Sequence, residues 1–226
     1  RNDRVIWASC MVSCGDADGA VTGNTRRYGS SLEKIKRVIE PRPGEIMFGL
    51  NMIVNKGKTV FVGDTSVHEY PSSEQLAEIA ISSARVVRLF GFDPKVAFVS
   101  HSTFGQPLTS RTKHIKNAVD ILKAKNVDFE FDGDMQPDVA LNEQYKELYP
   151  FSSIVGNANI LIMPGQHSAA ISYKMMRELG GAKVIGPLLI GLAQPIEIAP
   201  LRSSTSDILN LASVAAYSAG IINYNK

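Results

Sequence analysis

The segment 187–207, PLLIGLAQPIEIAPLRSSTSD, combines the residue types that hold a phosphate group. Its glycine and prolines predict a loop that brings Arg202 and the hydroxyls of Ser203 and Ser204 to the start of a helix, with Asp207 in the first turn. The first N–H groups of a helix lack intrahelical partners and carry partial positive charge, so an anion there gains hydrogen bonds and dipole stabilisation. The segment therefore predicts an anion site.

A second polar turn, SHSTFG at 100–105, follows a segment that reads as a buried strand. The hydroxyls of Ser100, Ser102 and Thr103 can either bind an anion or cap the next helix. Capping uses only one or two side chains, so a run of four polar residues leaves both interpretations open. We interpret His101 as a hydrogen-bonding spacer rather than a catalytic base.

Two acidic motifs could each bind a metal ion or have a structural role. Asp132 and Asp134 follow a short predicted strand, where they could hold Mg²⁺ or cap a helix beginning near Pro137. Asp64 precedes His68 by four residues, which fits either a metal pair or an Asx-turn. Without a third acidic partner we favour the cap and the Asx-turn, and we expect no metal site.

Tyr173 and Lys174 lie on a predicted helix that follows the strand-to-helix turn MPGQHS at 163–168. Both are candidate ligand contacts at the end of a predicted strand. A solvated surface charge is the alternative interpretation of Lys174.

Composition limits the possible classes of protein. The 226 residues are 44% hydrophobic and 20% charged, with a net charge of +2, which fits a globular protein and argues against a nucleic-acid binder. No apolar run is long enough to span a bilayer, and no signal peptide is evident, so we expect no membrane partner and a cytoplasmic location. Two cysteines, Cys10 and Cys14, predict free thiols. The absence of an initial Met suggests a piece of a longer polypeptide.

Several common catalytic motifs are absent. The chain lacks G-x-S-x-G, G-x-G-x-x-G and G-x-x-x-x-G-K-[ST], so a serine hydrolase of that type, a dinucleotide site and a P-loop are unsupported.

Alternating strand and helix patterns predict an α/β fold with a mostly parallel sheet and helices on both faces. Strands are predicted at 45–54, 58–62, 95–100, 128–131, 159–163 and 187–192, and helices at 73–90, 112–124, 137–148, 168–179 and from about 204. The first two strands should form a hairpin around Asn55-Lys56-Gly57. In the 168–179 helix we expect Ile171, Met175 and Leu179 to face inward.

The polar turns together resemble the phosphate acetyltransferase (phosphotransacetylase) family. The matching pieces are GDADGAVTG (15–23), PSSEQLAEIAISSA (71–84), PKVAFVSHSTFG (94–105), DGDMQPDVAL (132–141), NANILIMPG (157–165), ISYKM (171–175) and GPLLIGLAQPIEIAP (186–200). The resemblance implies two lobes around an acyl-CoA cleft, similar to the isocitrate and isopropylmalate dehydrogenases. The first lobe would comprise 1–47 and 181–226, incomplete at its N-terminus, and the second 48–180.

Within that family, two pieces resemble the C-terminal acetyltransferase-like domain of hybrid NADP-dependent malic enzymes. They are TRRYGSSLEKIKRVIEPRPGE (25–45) and IAPLRSSTSDILNLASVAAYSAG (198–220). This resemblance implies acetyl-CoA or CoA as the ligand of this domain. It also implies NADP and a divalent metal, Mg or Mn, in a malic enzyme domain of the same polypeptide outside this chain.

The chain departs from active acetyltransferases at phosphate-handling positions. Their Ser-Arg pair aligns with Pro200 and Leu201, although Arg202 follows directly and Asp207 is retained. An arginine of their L-R-P motif aligns with Glu33, and a cysteine near their cleft has no counterpart at 51–59. Because losing one charge-stabilising donor typically costs about a hundredfold or more in rate, these departures predict that transfer is lost.

Three hypotheses follow from the sequence. The first is a regulatory domain that binds acetyl-CoA through Ser100, Ser102, Thr103, Tyr173, Lys174, Arg202, Ser203, Ser204 and Asp207. The second is an active phosphate acetyltransferase in which Asp207 is the base for the CoA thiol and Arg202 holds the phosphoryl group. The third is a structural domain whose alanine-rich last helix forms a homo-oligomer.

Overall fold

The computed structural model describes residues 3–224, which divide into two compact units. The first unit comprises Arg1–Gly49 and Ile185–Lys226, and the second comprises Leu50–Val184. The family resemblance implies lobe boundaries at 47/48 and 180/181.

Strands and helices alternate along most of the chain. In order they are α1 (Arg4–Cys14), β1 (Ala20–Gly23), α2 (Tyr28–Ile35), β2 (Phe48–Asn55), β3 (Lys58–Gly63), α3 (Ser73–Leu89), β4 (Lys95–Val99), α4 (Ser110–Lys125), β5 (Glu130–Met135), α5 (Pro137–Leu141), α6 (Glu143–Lys146), β6 (Ile160–Ile162), α7 (Gln166–Gly180), β7 (Lys183–Ile190), β8 (Ile196–Ala199) and α8 (Thr205–Tyr224). Asn142 interrupts the single helix predicted over 137–148, giving the short helices α5 and α6.

The larger sheet has the strand order β5-β4-β6-β3-β2-β7. The β5–β4, β4–β6 and β6–β3 pairs are parallel, whereas β2 and β3 form an antiparallel hairpin. Lys56 and Gly57 occupy the hairpin turn with φ of 48° and 76°, the left-handed values that a two-residue hairpin turn requires. The predicted mostly parallel sheet and its hairpin are both confirmed.

Helices cover both faces of this sheet, as predicted. Side chains alternate along a strand, so neighbouring residues pack on opposite faces. Val62 and Leu161 join a buried cluster with Val139 of α5 and Ala169 of α7. The preceding residue Phe61 packs instead against the rings of Phe90 and Phe92, which follow α3.

The helix α3 begins and ends close to the predicted bounds. Ser72 Oγ accepts from the N–H of Gln75 (3.2 Å), and the N–H of Ser72 donates to Gln75 Oε1 (2.8 Å). This reciprocal capping box satisfies two of the N–H groups left unpaired at the helix start, so the predicted cap is confirmed.

The orientation predicted for α7 is wrong. Ile171, Met175 and Leu179 are 57%, 54% and 82% exposed. The buried face of α7 instead carries Ala169, with Tyr173 and Met176 half-buried against the same cluster. Both residue sets follow helical spacing, and the pattern alone could not tell which one meets the sheet.

The first unit has a two-stranded parallel sheet of β1 and β8. The helices α1, α2 and α8 pack against these strands. The helix α8 buries Leu211, Ala215 and Ala219. No helix among residues 3–224 is long and apolar enough to cross a membrane.

Candidate functional site

The Ser100 turn is held together from within. Ser100 Oγ lies 3.2 Å from Ser102 Oγ, and Ser102 Oγ donates to Asp134 Oδ2. Thr103 Oγ1 accepts from the N–H of Gln136 (3.2 Å). All three hydroxyls are buried, so they fix the shape of the turn. They do not cap the next helix, because Thr109 caps α4.

Asp134 anchors this turn from β5. Its Oδ1 accepts from the N–H of Gly105 (3.0 Å), and its backbone oxygen accepts from the N–H of Phe104 (2.6 Å). The β4–β5 register shifts so that Phe98 pairs with Gly133 and Val99 with Met135, which leaves Asp134 in a bulge. A bulge changes the direction of one side chain, and here that side chain is the carboxylate of Asp134, for which the sequence predicts a helix cap.

The predicted helix-capping role of Asp132 and Asp134 is wrong. Both residues lie inside β5, and α5 begins after Gln136 without a side-chain cap. Asp132 Oδ1 accepts from the N–H of Gly133 (2.9 Å), and Oδ2 accepts from the N–H of Ser153 (2.7 Å). The strand extends to Met135 because Gly133 permits close contact, since a Cβ there would lie 2.7 Å from that of Phe98.

The Asx-turn predicted at Asp64 is confirmed. Asp64 Oδ1 accepts from the N–H groups of Ser66 (2.9 Å) and Val67 (3.1 Å). Its Oδ2 accepts from the N–H of His68 (2.8 Å) and lies 2.8 Å from His68 Nδ1. The structure groups no three His, Cys, Asp or Glu residues for metal binding in the part of the chain that it describes.

Tyr173 lies beside a buried polar pair that the sequence did not reveal. Asn51 is fully buried on β2, and its Oδ1 accepts from Thr65 Oγ1 (3.3 Å). Burial raises the pKa of the Tyr173 hydroxyl, and the charge of Arg177 and a hydrogen bond with Asn51 oppose that rise. In the sequence, the single amide Asn51 within the otherwise apolar segment 48–54 was the feature that could have indicated this polar pair.

Lys174 is exposed next to Tyr173. Its Nζ lies 5.7 Å from the centroid of the Tyr173 ring, within the range of a cation–π contact. The chain therefore presents a tyrosine hydroxyl and an ammonium group side by side on α7.

The four predicted contacts of the 200–207 segment surround the start of α8. Asp207 Oδ2 accepts from both the N–H and the hydroxyl of Ser204 (2.8 Å each), and Ser204 Oγ accepts from the N–H of Asp207 (3.2 Å). The hydroxyl of Ser203 donates to the oxygen of Pro200 (2.8 Å). Asp207 and Ser204 thus form a reciprocal cap for α8.

Arg202 has a different environment from its neighbours. Its backbone is left-handed, with φ of 61°, and its N–H donates to the oxygen of Asn24 (3.3 Å). The side chain is exposed, and no ion pair of its guanidinium is found within residues 3–224. Leu201, at 52% exposure, offers no polar group beside it. The segment presents one cation beside a capped helix start.

The chain belongs to the phosphate acetyl/butaryl transferase family, whose model matches residues 1–216. It is 49% identical over 220 residues to the NADP-dependent malic enzyme of Rhizobium meliloti (strain 1021), covering 97% of this chain and 29% of that enzyme. It is 33% identical to the phosphate acetyltransferase of Clostridium acetobutylicum, covering 96% of this chain and 68% of the relative. The fold superposes on a phosphotransacetylase from Streptococcus pyogenes with a TM-score of 0.89 and 30% identity, covering 96% and 67% of the two chains.

These comparisons confirm the resemblance found in the sequence, both to phosphate acetyltransferases and to NADP-dependent malic enzymes. They also show how much of this relative is matched, because the chain spans less than a third of the malic enzyme's length.

Proposed function

We propose that this domain binds acetyl-CoA and regulates a malic enzyme domain of the same polypeptide, without catalysing acetyl transfer. The observation that carries the proposal is the 200–207 segment. The family resemblance aligns Pro200 and Leu201 with the Ser-Arg pair of active acetyltransferases, and Asp207 is hydrogen-bonded to Ser204 as a helix cap. Asp207 is thus engaged in structure, and the segment offers binding groups rather than a catalytic pair.

We propose that the residues selected from the sequence have two kinds of role, ligand contact and support of local structure, according to their environments. In the first unit, the exposed cation of Arg202 is suited to a phosphate group and the Ser203 hydroxyl to an amide group of pantetheine. In the second unit, Lys174 and the Tyr173 hydroxyl offer the same two kinds of contact. The hydroxyls of Ser100, Ser102 and Thr103 hold the shape of their turn, and Ser204 with Asp207 holds the start of α8.

The rest of the proposal concerns the larger polypeptide. Its malic enzyme domain would carry out NADP-dependent oxidative decarboxylation of malate with Mg²⁺ or Mn²⁺, in the cytoplasm. Acetyl-CoA can control that reaction only if it binds one global state of the polypeptide more tightly than another. The similarity to proteins named NADP-dependent malic enzyme supports this assignment.

A binding measurement combined with a transfer assay tests the proposal. Acetyl-CoA at about a hundred times its dissociation constant should stabilise the fold by roughly 2.7 kcal/mol. Stabilisation without transfer from acetyl phosphate to CoA is the expected result. Transfer at ordinary enzyme rates would instead establish an active phosphate acetyltransferase, and no stabilisation at saturating ligand would leave a structural domain.

The Arg202→Ala variant tests the phosphate contact directly. We expect acetyl-CoA to bind about three- to tenfold more weakly, because an exposed charge-assisted contact is worth about 1 kcal/mol. Arg37→Ala, which removes another exposed arginine of the same unit, is the matched control and should leave the affinity unchanged. Equal affinities of the two variants would remove Arg202 from the site.

We also propose that the domain forms a homo-oligomer through the α7 stripe, defined as Ile171, Met175 and Leu179. These side chains are more than half exposed and lie four residues apart, so they form one apolar row along the helix. An apolar row on an exposed helix face is typical of a contact between copies of a protein.

A further inference from the structure

A cavity lined by none of the residues proposed to contact acetyl-CoA lies between α4, β5 and the segments around Phe104 and Phe151. Its volume is ≈ 420 Å³, which is in the range of small-molecule sites. Its lining includes aromatic rings, lysines and aspartates, together with Leu108, Val119 and Ser153. The rings, the lysines and the aspartates each favour a different chemical group on a ligand.

The aromatic part of the lining consists of Phe104 and Phe151. Their ring centroids are 4.8 Å apart with an interplanar angle of 65°, and Tyr149 packs on Phe104 at 5.4 Å. Phe104 is fixed because its N–H and that of Gly105 both donate to Asp134. Phe151 is 65% exposed, so a flat aromatic ligand that covered it would remove apolar surface from water.

The lysines lie on one face of α4. Lys116 and Lys123 are seven residues apart, which places them two helical turns from each other along the cavity. Lys123 has an ion pair with Asp120 (3.8 Å), whereas no ion pair of Lys116 is found in the described part of the chain. The ammonium group of Lys116 is therefore available to an anion.

The aspartates restrict which anionic ligands can bind in the cavity. Asp132 and Asp134 line the cavity while buried, and each carboxylate already accepts two hydrogen bonds from the protein. A carboxylate has about four acceptor positions, so both can accept further donors. With Asp120, three carboxylates face two lysines, so a bare anion would be repelled. A ligand that fits must bring hydroxyl donors as well as a negative group.

We propose that this cavity binds a nucleoside phosphate. The base would lie against Phe104 and Phe151, the ribose hydroxyls would donate to Asp132 and Asp134, and the phosphate would pair with Lys116. Stacking of bases on aromatic side chains tolerates every base, so the cavity selects the class and not the base. The same chemistry is offered by a free nucleotide and by the phosphorylated adenosine end of CoA.

Isothermal titration of the whole chain with defined probes tests this proposal. We expect saturable binding of 5′-AMP and of adenosine 3′,5′-bisphosphate. Ribose 5-phosphate, which lacks the base, should bind about tenfold or more weakly, and inorganic phosphate should not bind measurably. If neither nucleotide binds up to about 10 mM, or if inorganic phosphate binds as well as AMP, the proposal is wrong.

Two variants with matched controls locate the binding. Lys116→Ala should weaken AMP binding about three- to tenfold, whereas Lys113→Ala, an exposed lysine of α4 outside the cavity, should not. Phe151→Ala should weaken AMP binding about fivefold or more, whereas Leu148→Ala, which removes a side chain of similar exposure (69%), should not. Both targets are exposed, so the variants should fold, and circular dichroism checks this. Equal effects of target and control variants would place the nucleotide elsewhere.

Competition with acetyl-CoA identifies the source of the nucleoside phosphate. If acetyl-CoA and AMP exclude each other in the wild type and both weaken in Lys116→Ala, the cavity holds the adenosine end of CoA. If AMP binds independently of acetyl-CoA, the cavity takes a free nucleotide. Both results support the pocket, and both are independent of whether acetyl-CoA regulates a malic enzyme domain.

Discussion

Glu197 shows at the scale of one residue how a buried carboxyl couples stability to pH. It is 3% exposed, and its Oε2 accepts from the N–H of Leu189 (2.9 Å). Burial raises the pKa of Glu197 from 4.5 to about 8, and the hydrogen bond from Leu189 opposes that rise. Because the folded protein holds this proton more tightly than the unfolded chain, the free energy of unfolding should fall as pH rises between these two values.

The Glu197→Gln variant isolates this effect. Glutamine keeps an acceptor for the N–H of Leu189 and cannot ionise, so the variant should gain stability relative to the wild type as pH rises from about 5 to 8. The gain should be at most about 1.4 kcal/mol per pH unit and should level off above pH 8. Urea unfolding at several pH values measures it. Glu33→Gln, at an exposed position, controls for the loss of a carboxylate, and a constant difference at Glu197 would contradict the prediction.

The start of α8 makes a prediction at the scale of one element. Ser204 and Asp207 satisfy each other's backbone N–H groups, so either Ser204→Ala or Asp207→Ala should lower the free energy of unfolding by about 1 kcal/mol. Ser206→Ala is the matched control, since it removes an exposed hydroxyl from the same turn without touching the cap. Chemical unfolding measures the differences. If Asp207→Ala folded as stably as Ser206→Ala, the cap would not be the role of this carboxylate.

The helices and strands also show which features a sequence pattern is sufficient to predict. The capped helix α3 and the hairpin of β2 and β3 depend on local chemistry, so their positions were predictable. The inward face of α7 was not predictable, because two sets of apolar residues share helical spacing and only tertiary contacts choose between them. The end of β5 was missed because DGD is typical of a turn, while the contact of Gly133 with Phe98 is nonlocal.

In the candidate site, too, local features were predictable and nonlocal contacts were not. The sequence identified the polar turns and the resemblance to a family, and it predicted the Asx-turn of Asp64. It did not predict the link between Ser102 and Asp134 or the pair of Asn51 and Thr65, because each joins residues from separate elements. Hydrogen bonds over such sequence distances depend on how the sheet is assembled, and no periodic pattern in the sequence indicates them.

The proposed oligomer makes a prediction at the scale of the whole molecule. If this row of apolar side chains joins two copies, Met175→Glu should shift the molecular mass in solution toward the monomer, because a buried carboxylate without a partner is costly. Size-exclusion chromatography with light scattering measures the mass. Leu89→Glu, which changes a 45% exposed leucine on α3, should leave the mass unchanged. A wild type that is monomeric at all concentrations would contradict the oligomer proposal.

The position of β5 has a consequence for solubility. It is the outermost strand of its sheet in the described chain, and a free strand edge is a template for pairing with another chain. Two devices that proteins use against such pairing meet here, a bulge at Asp134 and acidic side chains at Glu130 and Asp132. Asp132 and Asp134, which line the cavity beside α4, therefore also oppose the pairing of this strand edge with another chain.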